Sequence, residues 1–204
     1  MKCTEARFMG LSLIVMMTAA APLVSAEGAQ HVRWDIQNVV FGPTTNCPST
    51  VCFNPGGSAT AIASDGSTIT MSGSGTFTSP VSGGSTGAVT GGGTWKVIPA
   101  NGPITSGTYV VTELLSWQKS NFIAPAFCFP CGEIDNVDDL HEAWGGLAVL
   151  RVAYSDGTTG IVTISCNADP LDPPSVFEGL IASKGVIQYW NPSIFKYFSL
   201  FHID

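Results

Sequence analysis

Charge is scarce in this chain. Asp, Glu, Lys and Arg make up 11% of its 204 residues, less than half of the roughly 25% found in ordinary soluble domains. Only 8 of them are basic, against 15 acidic, which leaves a formal net charge of −7. A chain so poor in Lys and Arg has no basic face for a phosphate backbone, so nucleic acid is excluded as a partner. The low charge also excludes the compositions of disordered chains and coiled coils. No Gly-x-Gly-x-x-Gly and no Walker-type loop is present, which argues against a nucleotide cofactor. The single Asn-x-Ser candidate, Asn191-Pro192-Ser193, carries the forbidden proline, so no N-glycan acceptor exists. Helix signals are poor too. The best window, Ile134–Trp144, offers Asp135 as a cap for one or two turns.

What is abundant is apolar and conformationally special. Hydrophobic residues reach 45%, with 23 Gly and 13 Pro. The first 26 residues concentrate one kind of signal. Lys2 and Arg7 precede an uncharged stretch from Phe8 to Ala26 with an apolar centre at Leu11–Met17, and Val24-Ser25-Ala26 supplies small residues at its exit. That order predicts a secretory signal peptide cleaved after Ala26. The apolar centre falls short of the ~20 residues a membrane span needs, and nothing after it is long enough. The expected product is a single domain over 27–204, secreted or periplasmic.

Export makes disulfides persistent. Beyond Ala26 the chain has Cys47, Cys52, Cys128, Cys131 and Cys166, an odd number. Cys47 and Cys52 flank a proline-bearing turn and suit a short local bridge. Cys128-Phe-Pro-Cys131 reads as a structural disulfide, internal or shared with Cys166. A redox reading needs a βαβ setting that is missing. A zinc reading through Cys128, Cys131, His141 and Cys166 lacks a second close-spaced ligand pair.

The body alternates with a period of two, the mark of half-buried strands. Val32, Trp34 and Ile36 alternate with Arg33, Asp35 and Gln37. Asp65-Gly66 and Asp156-Gly157 sit between alternating runs, a hairpin signal. Further strands are predicted over Ala88–Ile98, Thr108–Trp117, Val176–Trp190 and Phe195–Ile203. Gly75-Thr76-Phe77, Gly93-Thr94-Trp95 and Gly107-Thr108-Tyr109 repeat a glycine–threonine–aromatic pattern that suits a curling meander. The fold expected is all-β: one antiparallel β-barrel, closed or nearly closed, of about eight or nine strands, with a β-sandwich as the alternative.

Candidate chemistry is thin. Gly83-Gly84-Ser85-Thr86-Gly87 spells a nucleophile elbow, but the strand-then-helix setting that strains the serine is absent. Alternation puts Glu113 on a face with Tyr109, Val111, Leu115 and Trp117. Glu178 shares a face with Val176, Leu180 and Ala182, and Arg151 shares one with Leu147, Val149 and Ala153. Charges that interrupt apolar faces are normally paired. Glu113, Glu178 and Arg151 are therefore candidate acid–base residues if the protein is an enzyme, and with Trp117 they are candidate ligand contacts. The acidic run Glu133, Asp135, Asp138, Asp139 and Glu142, which includes His141, does not match the spacing of a calcium loop and reads as solvated. His31 and His202 read as surface or cap residues. No metal or other cofactor is expected. The aromatics near the C-terminus, Trp190, Phe195, Tyr197, Phe198 and Phe201, are core or a platform for a ligand. The leading functional expectation is a binding module for a small hydrophobic molecule or a glycan. The alternatives are a small barrel enzyme and a structural, self-associating surface protein.

Overall fold

The computed structural model describes residues 29–79, 88–122, 133–138, 143–167, 174–192 and 199–203. Residues 1–26, read as a leader, lie outside those residues, as do Cys128, Cys131, Asp139, His141, Glu142, the Gly83–Gly87 stretch, and Phe195, Tyr197 and Phe198. Thirteen strands are formed and, among the described residues, no helix. They are β1 (Gln30–Ile36), β2 (Asn38–Phe41), β3 (Val51–Asn54), β4 (Ala59–Ala63), β5 (Thr68–Ser79), β6 (Gly92–Ile98), β7 (Thr105–Phe122), β8 (Ile134–Asp135), β9 (Ala143–Tyr154), β10 (Thr159–Cys166), β11 (Gly179–Lys184), β12 (Ile187–Pro192) and β13 (Ser199–Ile203).

Ten of these strands form one antiparallel sheet that returns on itself. Its logic lies in two long strands, β5 and β9, each hydrogen-bonded to three neighbours. Three routes join them: through β4, β12, β11 and β10; through β6 and β7; and through β1 and β13. The first two routes, with β5 and β9, close a ring of eight strands. A smaller three-stranded sheet, β2-β3-β8, stands apart from the ring. The loop between β2 and β3 is tied to β3 by the Cys47–Cys52 disulfide, which is 2.08 Å long.

The interior is packed with rings. Trp117 lies 4.6 Å from Phe201 and 5.3 Å from Phe77 between centroids, and Tyr154 meets Trp95 edge-on at 5.9 Å. Offset and edge-to-face geometries of this kind are the favoured ones for aromatic pairs. Trp34, Met71, Leu150, Ile164 and Leu180 complete the same buried cluster. Cys166 is buried in it as well.

The hairpins follow their turn residues. In both Asp-Gly turns the aspartate Oδ1 accepts from the residue two further on: Ser67 N and Oγ bond Asp65, and Thr158 N and Oγ1 bond Asp156. Gly66 and Gly157 supply the positive φ. The run Val176–Trp190, expected as one strand, is instead two. The chain reverses at Gly185-Val186, where Gly185 alone takes a positive φ of 58° and Lys184 pairs with Ile187. Positive φ at the first turn position only is the pattern of a II′ turn.

Where β5 meets β6 the sheet bends on opposed glycines, with Gly73 paired to Gly93. Gly91 just before β6 has φ +115°, and a Cβ there would sit 2.4 Å from the Ser74 carbonyl and 2.9 Å from the Trp34 ring. Both the backbone angle and the space require glycine. Gly91→Ala is expected to destabilise the domain by about 1–3 kcal/mol, seen as a lower midpoint in chemical unfolding. An unchanged midpoint would show that this bend is not strained by a side chain.

Lys184 closes one end of the ring. Its Nζ sits over the Trp95 ring at 4.3 Å and near Tyr154 at 5.2 Å, and it bonds Thr158 Oγ1 at 3.0 Å and the Asp156 carboxylate. The Lys184 and Thr158 hydrogen bonds hold the Asp156 carboxyl below its ordinary 3.8, at about 2. The folded value lies below the unfolded one, so this stabilisation is present above pH 3.8 and is lost as pH falls through about 2. An NMR titration of Asp156 should therefore have its midpoint near 2, and Lys184→Met should move it up towards 3.8. A midpoint unmoved by the substitution would exclude the lysine as the cause.

No helical turn is formed by the described residues that follow Asp135, 136–138. Ile134–Asp135 pairs in parallel with Cys52–Phe53 as β8. Asp135 Oδ1 does accept the backbone N–H groups of Val137 (2.8 Å) and Asp138 (3.3 Å), as a helix cap would. It closes an Asx-type turn instead.

Candidate functional site

The three charges singled out in the sequence do not converge. Glu113 was expected on the aromatic face of β7, but β7 carries bulges against β9 between Val111 and Glu113 and between Leu114 and Ser116. Each bulge inserts a residue and flips the alternation that follows it. The side chains that enter the core are consequently Tyr109, Val111, Leu114 and Trp117. Glu113 faces outward and pairs across the strands with Arg151, whose Nε–H donates to Glu113 Oε2 at 2.9 Å, with 51% and 35% of the Arg and Glu side chains exposed. An ion pair this open contributes little to stability.

Glu178 is elsewhere. Its Oε2 accepts the N–H of Asn167 (2.9 Å) and its Oε1 that of Ser199 (3.2 Å). It ties the end of β10 to the start of β13, whereas Arg151 pairs with Ile161 near the opposite end of β10. Trp117 is core, and Gly146 makes room for it, since a Cβ at Gly146 would meet its ring at 2.5 Å. The acid–base trio and the Trp117 ligand contact thus resolve into an outer-face ion pair, a backbone clasp and a packing residue.

A second polar centre was not legible. His202, expected at the surface, is buried on β13 beneath the small sheet. Its Nε2 lies 2.9 Å from Asp135 Oδ2, with the two side chains 0% and 2% exposed. Beside it, Arg33 Nε–H donates to Asp35 Oδ2 at 2.7 Å, and Arg33 also approaches Asp138 at 3.5 Å. Arg33 and His202 are register partners on β1 and β13. Burial pushes the Asp35 carboxyl above its ordinary value, against the pull of Arg33. The acidic run is therefore not simply solvated, because Asp135 joins the two sheets. No group of three His, Cys, Asp or Glu able to hold a metal ion occurs among the described residues.

The accessible feature lies on the outer face of the ring. Between Tyr189 and Asn191 the register of β12 against β4 shifts, leaving Trp190 as the extra residue of a β-bulge. Bulges re-aim side chains, and Trp190 is 65% exposed. On one side of it a groove of about 310 Å³ runs over β10 and β11, with Ile161, Thr163, Ile181 and Ser183 in its wall. These are the outward positions of the two strands, since Thr163 pairs with Ile181. On the other side a groove of about 530 Å³ is lined by Ile62, Asp65, Ile187 and Asn191. Gln188 and Trp190 belong to both and form the ridge between them. The cross-strand partner of Ile161 is Arg151, so the Arg151–Glu113 pair borders the first groove.

The sequence held no signal for this face: unbroken alternation would set Trp190 in phase with the buried Leu180 and Ala182, and only the reversal at Gly185-Val186 turns it outward. Within β12 only Tyr189 is buried, so its neighbours Gln188 and Trp190 belong to the outward phase. Of the C-terminal aromatics, Phe201 goes into the core, and Trp190 stays out.

No protein-family model matches the chain, and no curated protein or solved structure matches it. The geometry alone carries the functional reading.

Proposed function

We propose that the protein is an exported, non-enzymatic binding module whose ligand lies on the outer face of the sheet at Trp190. The observation that carries this reading is a tryptophan held out on a bulge, 65% exposed, overhanging an apolar groove of about 310 Å³. That volume is at the lower end of small-molecule sites. An exposed Trp costs the monomer apolar hydration, and a flat apolar ligand face recovers it. The groove offers hydroxyl and amide groups at Thr163, Ser183 and Gln188 for orientation.

Export rests on the leader read in residues 1–26, and the Cys47–Cys52 disulfide fits an oxidising compartment. Intact-mass analysis of protein recovered from the medium or periplasm should give a chain that begins at Glu27. Recovery of the full-length chain from the cytosol alone would overturn export.

Binding is tested with the purified protein and its Trp190→Ala variant, screened by NMR against neutral sugars, fatty acids and an apolar dye. The expected result is shift changes on β10–β12 for at least one class, lost in the variant while the melting temperature stays. Binding that survives Trp190→Ala would remove this site from consideration. A dimer in light scattering that dissociates in the variant would show that a second copy, not a small ligand, covers Trp190.

A further inference from the structure

The two grooves share one ridge and lie on one face, and this says more about the ligand than either does alone. From Thr163 on β10 to Ile62 on β4 the face crosses β11 and β12. Three inter-strand gaps span about 14 Å, longer than a single sugar ring or a compact aromatic. The first groove is mainly aliphatic, with Ile161 and Ile181 beside the Trp190 ring. The second is more polar, with Ser64, Asp65 and Asn191 at its edge. Asp65 Oδ1 is taken by Ser67, and those bonds hold its carboxyl below the ordinary value, so it stays ionised and able to accept hydroxyl protons.

Among the described residues neither groove is lined by a Lys or Arg, the Arg151 that borders the first is paired with Glu113, and the chain carries a net charge of −7. An anionic ligand would meet an acidic protein whose bordering cation, Arg151, is already paired with Glu113, which disfavours it. A fatty chain needs an enclosed slot to leave water, and these grooves are open on an outer sheet face. What fits is a neutral molecule with alternating flat apolar faces and hydroxyl edges, longer than one ring.

We propose that this face binds a neutral oligosaccharide chain laid across β10, β11, β12 and β4, with one subsite on each side of Trp190. The inference rests on the binding-module reading and adds the ligand's class and length. Trp190 stacks on a sugar ring at the ridge, Gln188 hydrogen-bonds on both sides of it, and Asp65 and Asn191 read hydroxyls in the second subsite only.

The test is calorimetric titration of the protein with neutral gluco-, manno-, xylo- and galacto-oligosaccharides of increasing length, from one ring upward. An anionic uronate oligomer and a fatty acid serve as comparison arms. For one neutral series the affinity should rise at least tenfold from the monosaccharide to a chain that reaches both subsites. Trp190→Ala should lower the affinity for the longer chain by about 30-fold or more. Asn191→Ala should lower affinity for the long chain and leave that for the shortest binding ligand unchanged. Affinity independent of length, or an Asn191→Ala loss equal at every length, would overturn the two-subsite chain while leaving a Trp190 site in place. Stronger binding of the uronate oligomer or the fatty acid at Trp190 would overturn the ligand class and keep the binding module. Absence of any binding would bring down both.

Discussion

Removing the imidazole of His202 is expected to destabilise the domain by about 3–5 kcal/mol, because it leaves a buried carboxylate without its partner. The Asp135 side chain is 2% exposed and lies 2.9 Å from His202 Nε2. In His202→Ala the carboxylate keeps the N–H groups of Val137 and Asp138 but loses the imidazole. Asp35, itself buried, stands in the same joint, its carboxyl bonded by Arg33. For a domain with a total stability of roughly 5–15 kcal/mol this loss is severe. Urea unfolding should show it as a midpoint lowered by about 1–3 M at unchanged slope. Adding Asp135→Leu to His202→Ala should restore part of the loss by removing the stranded charge, though not the turn bonds that Asp135 also makes. A single variant as stable as the parent would mean that water reaches the carboxylate.

Trp117→Ala and Trp190→Ala should part company in both stability and binding. Trp117 packs against Phe77 and Phe201 in the buried cluster, and truncating a buried tryptophan costs about 3–5 kcal/mol. The loss should appear as a large fall in melting temperature with the Trp190 groove still competent in whatever fraction folds. Trp190 is 65% exposed, so its truncation should change stability by no more than about 0.5 kcal/mol and remove binding. If Trp117→Ala weakens ligand affinity in folded protein as strongly as Trp190→Ala does, the groove is not the site.

These two tryptophans also mark how far the sequence could be read. Period-two alternation and the Asp-Gly turns located most of the strands and two of the hairpins, because those signals are local. The bulges in β7 were not legible: a bulge is one extra residue whose only trace is the partner strand's register, and it turned Glu113 from the core face to the outside. The second turn of the C-terminal hairpin, Gly185-Val186, lacks the Asn or Asp that announces a turn, so two strands read as one. The joint between Asp135 and His202 links residues 67 positions apart through a two-residue parallel pairing, for which no local pattern exists. Arg151 was open to pairing with Glu113 or Glu178, and strand adjacency, which no local pattern reveals, gives it Glu113 on an outer face.

The large sheet's first strand is held by its last. Val32 to Ile36 pair with Ser199 to Ile203 on one edge and with β5 on the other. Until residues 199–203 are available, the route from β5 to β9 through β1 and β13 stays open and β1 has one unsatisfied edge. This third route therefore waits on the most distant pairing among the described residues, which makes its formation slow by topology. A chain threaded across a membrane from its N-terminus would stay unlatched throughout transit and snap shut only once its final strand had followed.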